Sequence, residues 1–325
     1  MTGVLEQPLV YLPLRGVLIF LVVLLSQVPL LYGLLKISAH VMARVGPMYA
    51  GRFHGVGQPI AEFVKWIQKE DIVPARADGP VFRWAPIVAL LPAFIVFAVI
   101  PVAPGLVGAD IELGLFFVLA VSAVGAIAVV MAAYASQSKF TLVGGLRAVG
   151  QIIAYELPII LGAVSIAMLA GSLSLTEIVE AQSIPFLIWP FPFGAIAFML
   201  FLLASFAEVL WPPFDMPVAE SEIIAGPYTE YTGMRFIFFY MSEFAHVLAL
   251  SALGTLLFLG GWRGPVLPPL VWFILKISAF VVFFIWVRFT MPRLREDQLQ
   301  KLAWKLLVPL GLVNVLGIAT YRVLT

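Results

Sequence analysis

Three ionisable side chains stand inside long apolar runs: Glu156, Glu243 and Lys276. A charge at the centre of a bilayer costs about 2.5–3.5 kcal/mol on insertion scales. Such groups therefore face the interior of a helix bundle, pair with one another and mark ion or proton paths. Glu208 opens an acidic stretch running to Arg235, with Asp215, Glu220, Glu222 and Glu230 and a single base, Arg235 itself. Taken alone, that stretch reads equally as a solvated loop. Together with the acids in the apolar runs it reads as the mouth of a proton route, because burial and neighbouring like charge bring carboxylates towards exchange near neutral pH. A structural Lys–Glu pair within the bundle is the other reading of Lys276. His246 follows Glu243 by three residues, on the same face of a helix, and suits hydrogen bonding. His40, His54 and His246 are too scattered to suggest a metal site, and with no cysteine the chain offers no disulfide, thiolate zinc site or cysteine-ligated iron–sulfur cluster.

The elements that must hold these groups are membrane helices. Of 325 residues, 62% are hydrophobic and 11% charged, far from the roughly 45–50% and 25% of soluble domains. The net charge of +1 gives no basic excess for nucleic acid. A helix needs about 20 apolar residues to cross a bilayer. The chain supplies eight such stretches, near 9–39, 84–103, 113–135, 148–170, 186–211, 234–259, 269–291 and 302–321. They do not alternate as barrel strands would. The fold class is all-α, a single integral membrane domain over 1–325. On these spans Glu156 lies about eight residues into the fourth helix, and Glu243 about as far into the sixth, roughly 12 Å from its start. Lys276 is then the only base at comparable depth.

Fourteen of the nineteen Lys and Arg residues follow odd-numbered spans, against Arg15, Arg263 and Arg322 on the other side. The positive-inside rule puts those basic loops in the cytoplasm and both termini outside. The first cytoplasmic loop, 42–83, contains an amphipathic helix over 58–69. Ile60, Phe63, Val64 and Ile67 share a face there, with Glu62, Lys65 and Lys69 elsewhere. It either lies in the membrane interface, framing an entrance for a lipid-soluble substrate, or packs into a soluble loop domain. The acidic loop is 208–235. No phosphate-binding loop or nucleophile elbow is present, so electron-transfer cofactors would have to come from partners.

Four blocks of residues, in order and all on the expected cytoplasmic side, carry a resemblance. They are Gln58-Pro59 with Lys65 and Lys69-Glu70-Asp71-Ile72-Val73-Pro74; Ser136, Ser138, Lys139, Gly145-Leu146-Arg147-Ala148, Gln151 and Tyr155-Glu156; Pro213-Phe214-Asp215, Ala219-Glu220-Ser221-Glu222, Glu230-Tyr231 and Glu243; and Trp286-Val287-Arg288, Pro292-Arg293-Leu294-Arg295, Asp297-Gln298-Leu299 and Trp304-Lys305. In these the chain resembles the H subunit of bacterial NADH–quinone oxidoreductase, respiratory complex I, over nearly its whole length. The resemblance implies an eight-helix subunit of the bacterial inner membrane that joins the membrane arm to the peripheral arm. It would enclose part of the chamber where ubiquinone or menaquinone is reduced, while NADH, flavin and iron–sulfur clusters are held by partner subunits.

Carried over by position, the resemblance implies that Arg44, Gln58, Phe63, Lys65, Trp66, Asp215, Glu220, Glu222, Glu230 and Arg235 border the quinone chamber and its entrance. Glu156, Glu208, Glu243 and Lys276 would form the relay. Lys139, Arg147, Arg293, Arg295 and Asp297 would meet the peripheral arm. The chain departs from the family at Met48 and Tyr49, where Asn and Arg are usual, at Leu210-Trp211, where Asn-Arg is usual, and at Val218, where a carboxylate is usual. The alternatives are the membrane subunit of an energy-converting hydrogenase or of another complex I-like enzyme with a different electron donor, and a free-standing proton transporter. The lack of internally repeated halves weighs against the last.

Overall fold

A computed structural model describes residues 8–51, 53–182, 190–218 and 220–324, with side chains from residue 14 onward except those of Glu220 and Ser221. Among these residues the chain forms helices and no strand. In order they are α1 (Pro8–Val41), α2 (Gln58–Ile67), α3 (Gly79–Ile95, prolonged by a 3-10 turn to Ala98), α4 (Gly114–Ala135) and α5 (Lys139–Ala170). Then follow α6 (Leu175–Ala181), α7 (Phe193–Glu208), α8 (Glu220–Ile223), α9 (Gly233–Phe258) and α10 (Pro269–Thr290). Last comes α11 (Glu296–Leu302), which runs through π-helical Ala303–Leu307 into α12 (Val308–Leu324).

Seven of these helices are long and apolar enough to cross a membrane, and the chain is a multi-pass membrane protein. The eighth expected span is α7, whose 16 residues rise only about 24 Å. It starts after Pro192, later than the expected 186, and residues 186–189 of that expectation lie outside the described residues. Two further boundaries move. Helix α3 begins at Gly79, with Pro80 in its first turn where a missing N–H costs nothing. Helix α5 begins at Lys139, nine residues before the apolar run, so its first turns carry Lys139 and Arg147 on regular helix.

Helices α5 and α7 pack most closely, and the approach depends on Gly162. A Cβ there would stand 3.0 Å from the Ala197 carbonyl oxygen and 3.2 Å from the Phe201 amide nitrogen. Small residues at such crossings let helix backbones meet where no hydrophobic effect draws them together. Phe201 and Phe258 fill the adjoining core, ring centroids 5.4 Å apart. Glu208, the last residue of α7, is thereby fixed relative to α5.

The loops of the basic face are tied to the bundle by a few buried hydrogen bonds. The Gln151 side-chain amide, on α5, donates to the carbonyls of Ala207 at 2.8 Å and Phe214 at 2.6 Å, holding the end of α7 and the turn after it. The Tyr155 hydroxyl donates to Leu299 O at 3.0 Å and anchors α11. Tyr231, buried and stacked on Phe82 at 4.0 Å, donates to Phe82 O; burial pushes its phenol well above the usual range.

Candidate functional site

The structure gathers part of the expected site into one cavity of about 670 Å³ near the basic face. Glu156 (α5), Glu208 (α7), Asp215 (the following loop) and Glu243 (α9) all line it, with Trp211, His246, Arg288 and Arg293. Tyr228, Phe236, Phe239 and Tyr240 form an aromatic wall. Glu156 lies 17 residues from the start of α5, roughly 26 Å along the axis rather than 12 Å, because that helix begins earlier. Glu243 lies ten residues into α9, roughly 15 Å. They reach one cavity because α5 extends further beyond it on the basic face.

Each of two acids has a different basic neighbour. The His246 Nε2 lies 3.0 Å from Glu208 Oε1. Glu243 accepts from the indole N–H of Trp211 and sits 3.9 Å from the Arg288 guanidinium, close enough to pair in charge but too far for a hydrogen bond. Arg288 in turn lies over the Trp211 ring, 4.2 Å from its centroid, within cation–π range. The cation that the resemblance leads one to expect at 211 is thus supplied from α10, across an indole platform. The neighbouring departure has a backbone consequence. Leu210 adopts φ 60° in the turn that swings Trp211 inward. Asn tolerates this left-handed region, whereas a larger side chain costs roughly 1–2 kcal/mol. Leu210→Asn is therefore expected to make opening of the turn about fivefold rarer. Slower amide exchange over residues 207–214 would register this; equal or faster exchange would contradict it.

A second group borders the cavity on the same face and shares Arg293 with it. Arg147 pairs with Glu222 at 2.6 Å and with Glu296 at 3.7 Å, and Arg293 reaches Glu222 at 3.5 Å. The Arg147 hydrogen bond, aided by the charge of Arg293, holds the Glu222 carboxyl below the usual carboxylate range. Arg295 and Lys301 both pair with Asp297 at the surface, at 3.5 and 3.6 Å. The expected peripheral-arm contacts Arg147, Arg293, Arg295 and Asp297 thus share one charged patch, with Glu222 belonging to it rather than to the cavity. Lys139 is exposed at the start of α5.

A third set joins α2 to the cavity wall. Trp66 stacks on Phe236 at 4.8 Å, the Lys69 ammonium lies 3.9 Å from the Trp66 centroid, and Arg235 pairs with Asp71 at 3.0 Å. The apolar face of α2 (Ile60, Phe63, Val64 and Ile67) is open rather than packed into a loop domain. Gln58 bonds Glu62 within α2, and Lys65 is exposed. Arg44, exposed after α1, and half-buried Glu230 do not line the cavity. The Glu220 side chain lies outside those described.

Lys276 is elsewhere. Its ammonium donates to the carbonyls of Leu259, Gly261 and Arg263 at 2.6, 2.9 and 2.7 Å, beyond the far end of α9. Leu259 follows Glu243 by 16 residues, roughly 24 Å along the axis. The expectation that Lys276 shares the depth of the acids fails because its place on α10 faces the end of α9 rather than its middle. Sequence reading in turn assigned no site role to Trp211, Arg288 or the aromatic wall. Arg288 at the basic-face end of α10 was visible, but nothing in its spacing announced that it would turn back over a tryptophan.

Carboxylates walled into a helical bundle, with the bases that partner them, define an integral membrane protein that keeps ionisable groups away from bulk water. Comparison with known proteins narrows the class. The family model described as NADH dehydrogenase matches residues 14–319. The chain is 49% identical over 272 residues to the NADH-quinone oxidoreductase H subunit of Dehalococcoides mccartyi (strain 195), covering 84% of this chain and 76% of that protein. It is 45% identical over 308 residues to the second H subunit of Geobacter sulfurreducens, covering 92% of each, and 43% identical over 299 residues to the H subunit of Geobacillus kaustophilus, covering 90% and 89%. The chain belongs to this family, the membrane H subunits of NADH-quinone oxidoreductase, and is one part of an enzyme complex rather than an enzyme by itself.

Proposed function

We propose that this chain, with partner subunits, encloses the chamber in which a quinone is reduced, and that Glu156, Glu208 and Glu243 couple that reduction to proton translocation. The observation that carries the reading is one cavity of about 670 Å³ lined by aromatic rings together with four carboxylates. Its size is that of a small-molecule site, and its apolar lining with a few polar groups is what such sites need. A quinone head group offers ring faces to Tyr228, Phe236 and Tyr240, and on reduction its oxygens gain two protons, which nearby acids can supply.

Helix α2 gives the substrate its approach. Its open apolar face suits the membrane interface, and Trp66 stacks on the Phe236 of the cavity wall. Gln58, Phe63, Lys65 and Arg44 would then border the route by which ubiquinone or menaquinone arrives. The patch of Arg147, Glu222, Arg293, Arg295 and Asp297, with Lys139, is the proposed seat of peripheral-arm subunits. With no cysteine in the chain, cysteine-ligated iron–sulfur clusters fall to those partners, and NADH and flavin are proposed to lie there with them. The basic loops support a cytoplasmic position for this face at a bacterial inner membrane, with both termini on the other side. Lys276, on the opposite side of the bundle, is left out of the relay.

A photoreactive quinone tests the chamber. On illumination of the assembled complex it should label the peptide spanning 224–243, and excess unmodified quinone should suppress the labelling. Labelling confined to other subunits would contradict the proposed chamber.

A further inference from the structure

We propose that His246 is the proton-transfer partner of Glu208, so that the acid route in this chain includes an imidazole step. The inference rests on the proposed coupling role of the cavity and extends it to a residue that is not a carboxylate. Glu208 ends α7 and His246 lies in mid-α9, yet their side chains meet at 3.0 Å. Both are largely shielded, at 11% and 20% side-chain exposure, while still lining the cavity.

The contrast with the neighbouring acid gives the pair its meaning. One turn earlier on α9, Glu243 faces Arg288, a cation that never gives up its proton. Glu208 instead faces an imidazole, the side-chain type that changes charge between about pH 5 and 8. Among the described residues, the other charged groups around the cavity are Glu156 from α5, Asp215 from the loop, and Arg288 and Arg293 from α10 and beyond. Helices α3 and α4 contribute no charged side chain to it. Acids therefore outnumber the fixed cations there, and His246 can carry the balancing charge in one state and release it in the other.

The step is a simple proton transfer. The Nε2–H bond of the imidazolium breaks, its electron pair stays on nitrogen, and a new O–H bond forms at Glu208 Oε1. The neutral ring is recharged by a proton accepted from cavity water. Nothing is oxidised or reduced.

Three variants in the assembled complex, reconstituted in vesicles, test this. His246→Gln keeps an N–H close to the position of the imidazole Nε2, within reach of Glu208, but does not titrate. His246→Lys keeps a cation. Glu208→Gln removes the acid. With His246→Gln and His246→Lys assembled, proton translocation should fall at least about tenfold, and its pH dependence between about 5 and 8 should flatten. If both His246 variants pump with the wild-type pH profile while Glu208→Gln does not, the inference is overturned and the coupling role of the cavity stands. If Glu208→Gln also pumps normally, the coupling role itself falls, and the inference with it. Should the His246 variants fail to assemble, redox-triggered infrared spectra of the wild-type complex with ring-labelled histidine decide the matter. An imidazole band that changes together with a carboxyl band, both lost in Glu208→Gln, supports the pair. A carboxyl change without an imidazole change overturns it.

Discussion

Replacing Glu243 by Gln is expected to leave the complex assembled and to reduce proton translocation by at least about tenfold. The amide keeps the oxygen that accepts from the Trp211 indole, so the turn after α7 and the wall of the cavity keep their contact. What disappears is a site for the proton. Arg288 loses its ion pair with Glu243 but keeps its place over the Trp211 ring, in a cavity it shares with Asp215. Glu156→Gln should behave alike, since Glu156 lines the same cavity from α5. Native gels report assembly, and acidification of vesicles with quinone reduction reports coupling. Normal assembly with lost translocation agrees with the proposed relay. Normal assembly with unchanged translocation in both variants removes these acids from it.

Lys276→Met is expected to do the reverse. Lys276 is buried, and its ammonium satisfies three carbonyls in the segment 259–263, beyond the last turn of α9. Methionine matches the length of the side chain but donates nothing, so those oxygens lose their partner and the negative end of the helix dipole loses a cation. Buried acceptors left without partners cost about 1–3 kcal/mol each; with two of the three only partly buried, a total loss of roughly 2–4 kcal/mol is expected. The measurement is the yield of assembled complex together with translocation per assembled complex. Low yield with normal specific activity fits a structural cap. Normal yield with lost activity would return Lys276 to the relay despite its distance from the acids.

Much of the architecture was legible because apolar runs of membrane length have few alternatives. The amphipathic character of α2 followed from the spacing of Ile60, Phe63, Val64 and Ile67, whereas that its apolar face is open did not. Helix ends were less legible. The first turns of α5 carry Lys139, Gly144-Gly145 and Arg147, which interrupt the apolar run that marks a membrane helix; this displaced the expected depth of Glu156. The site was readable as a set of unusual residues but not as a set of pairs. Depth counted along one helix cannot say which neighbour a side chain meets, and so Lys276 was grouped with acids at the other end of the bundle. Trp211 read as the loss of a cation, whereas the fold returns one from Arg288, 77 positions along the chain. His246 was legible as a neighbour of Glu243, but its partner is Glu208, which only the packing of α7 beside α9 could reveal.

The central claim is that the carboxylates of the cavity change protonation when quinone is reduced. Redox-triggered infrared difference spectroscopy of the assembled complex reads this directly. Carboxyl bands are expected to appear on quinone reduction in the wild type and to be diminished in Glu156→Gln, Glu208→Gln and Glu243→Gln while quinone still binds. Carboxyl bands that are absent in the wild type, or that survive unchanged in all three variants, would contradict it.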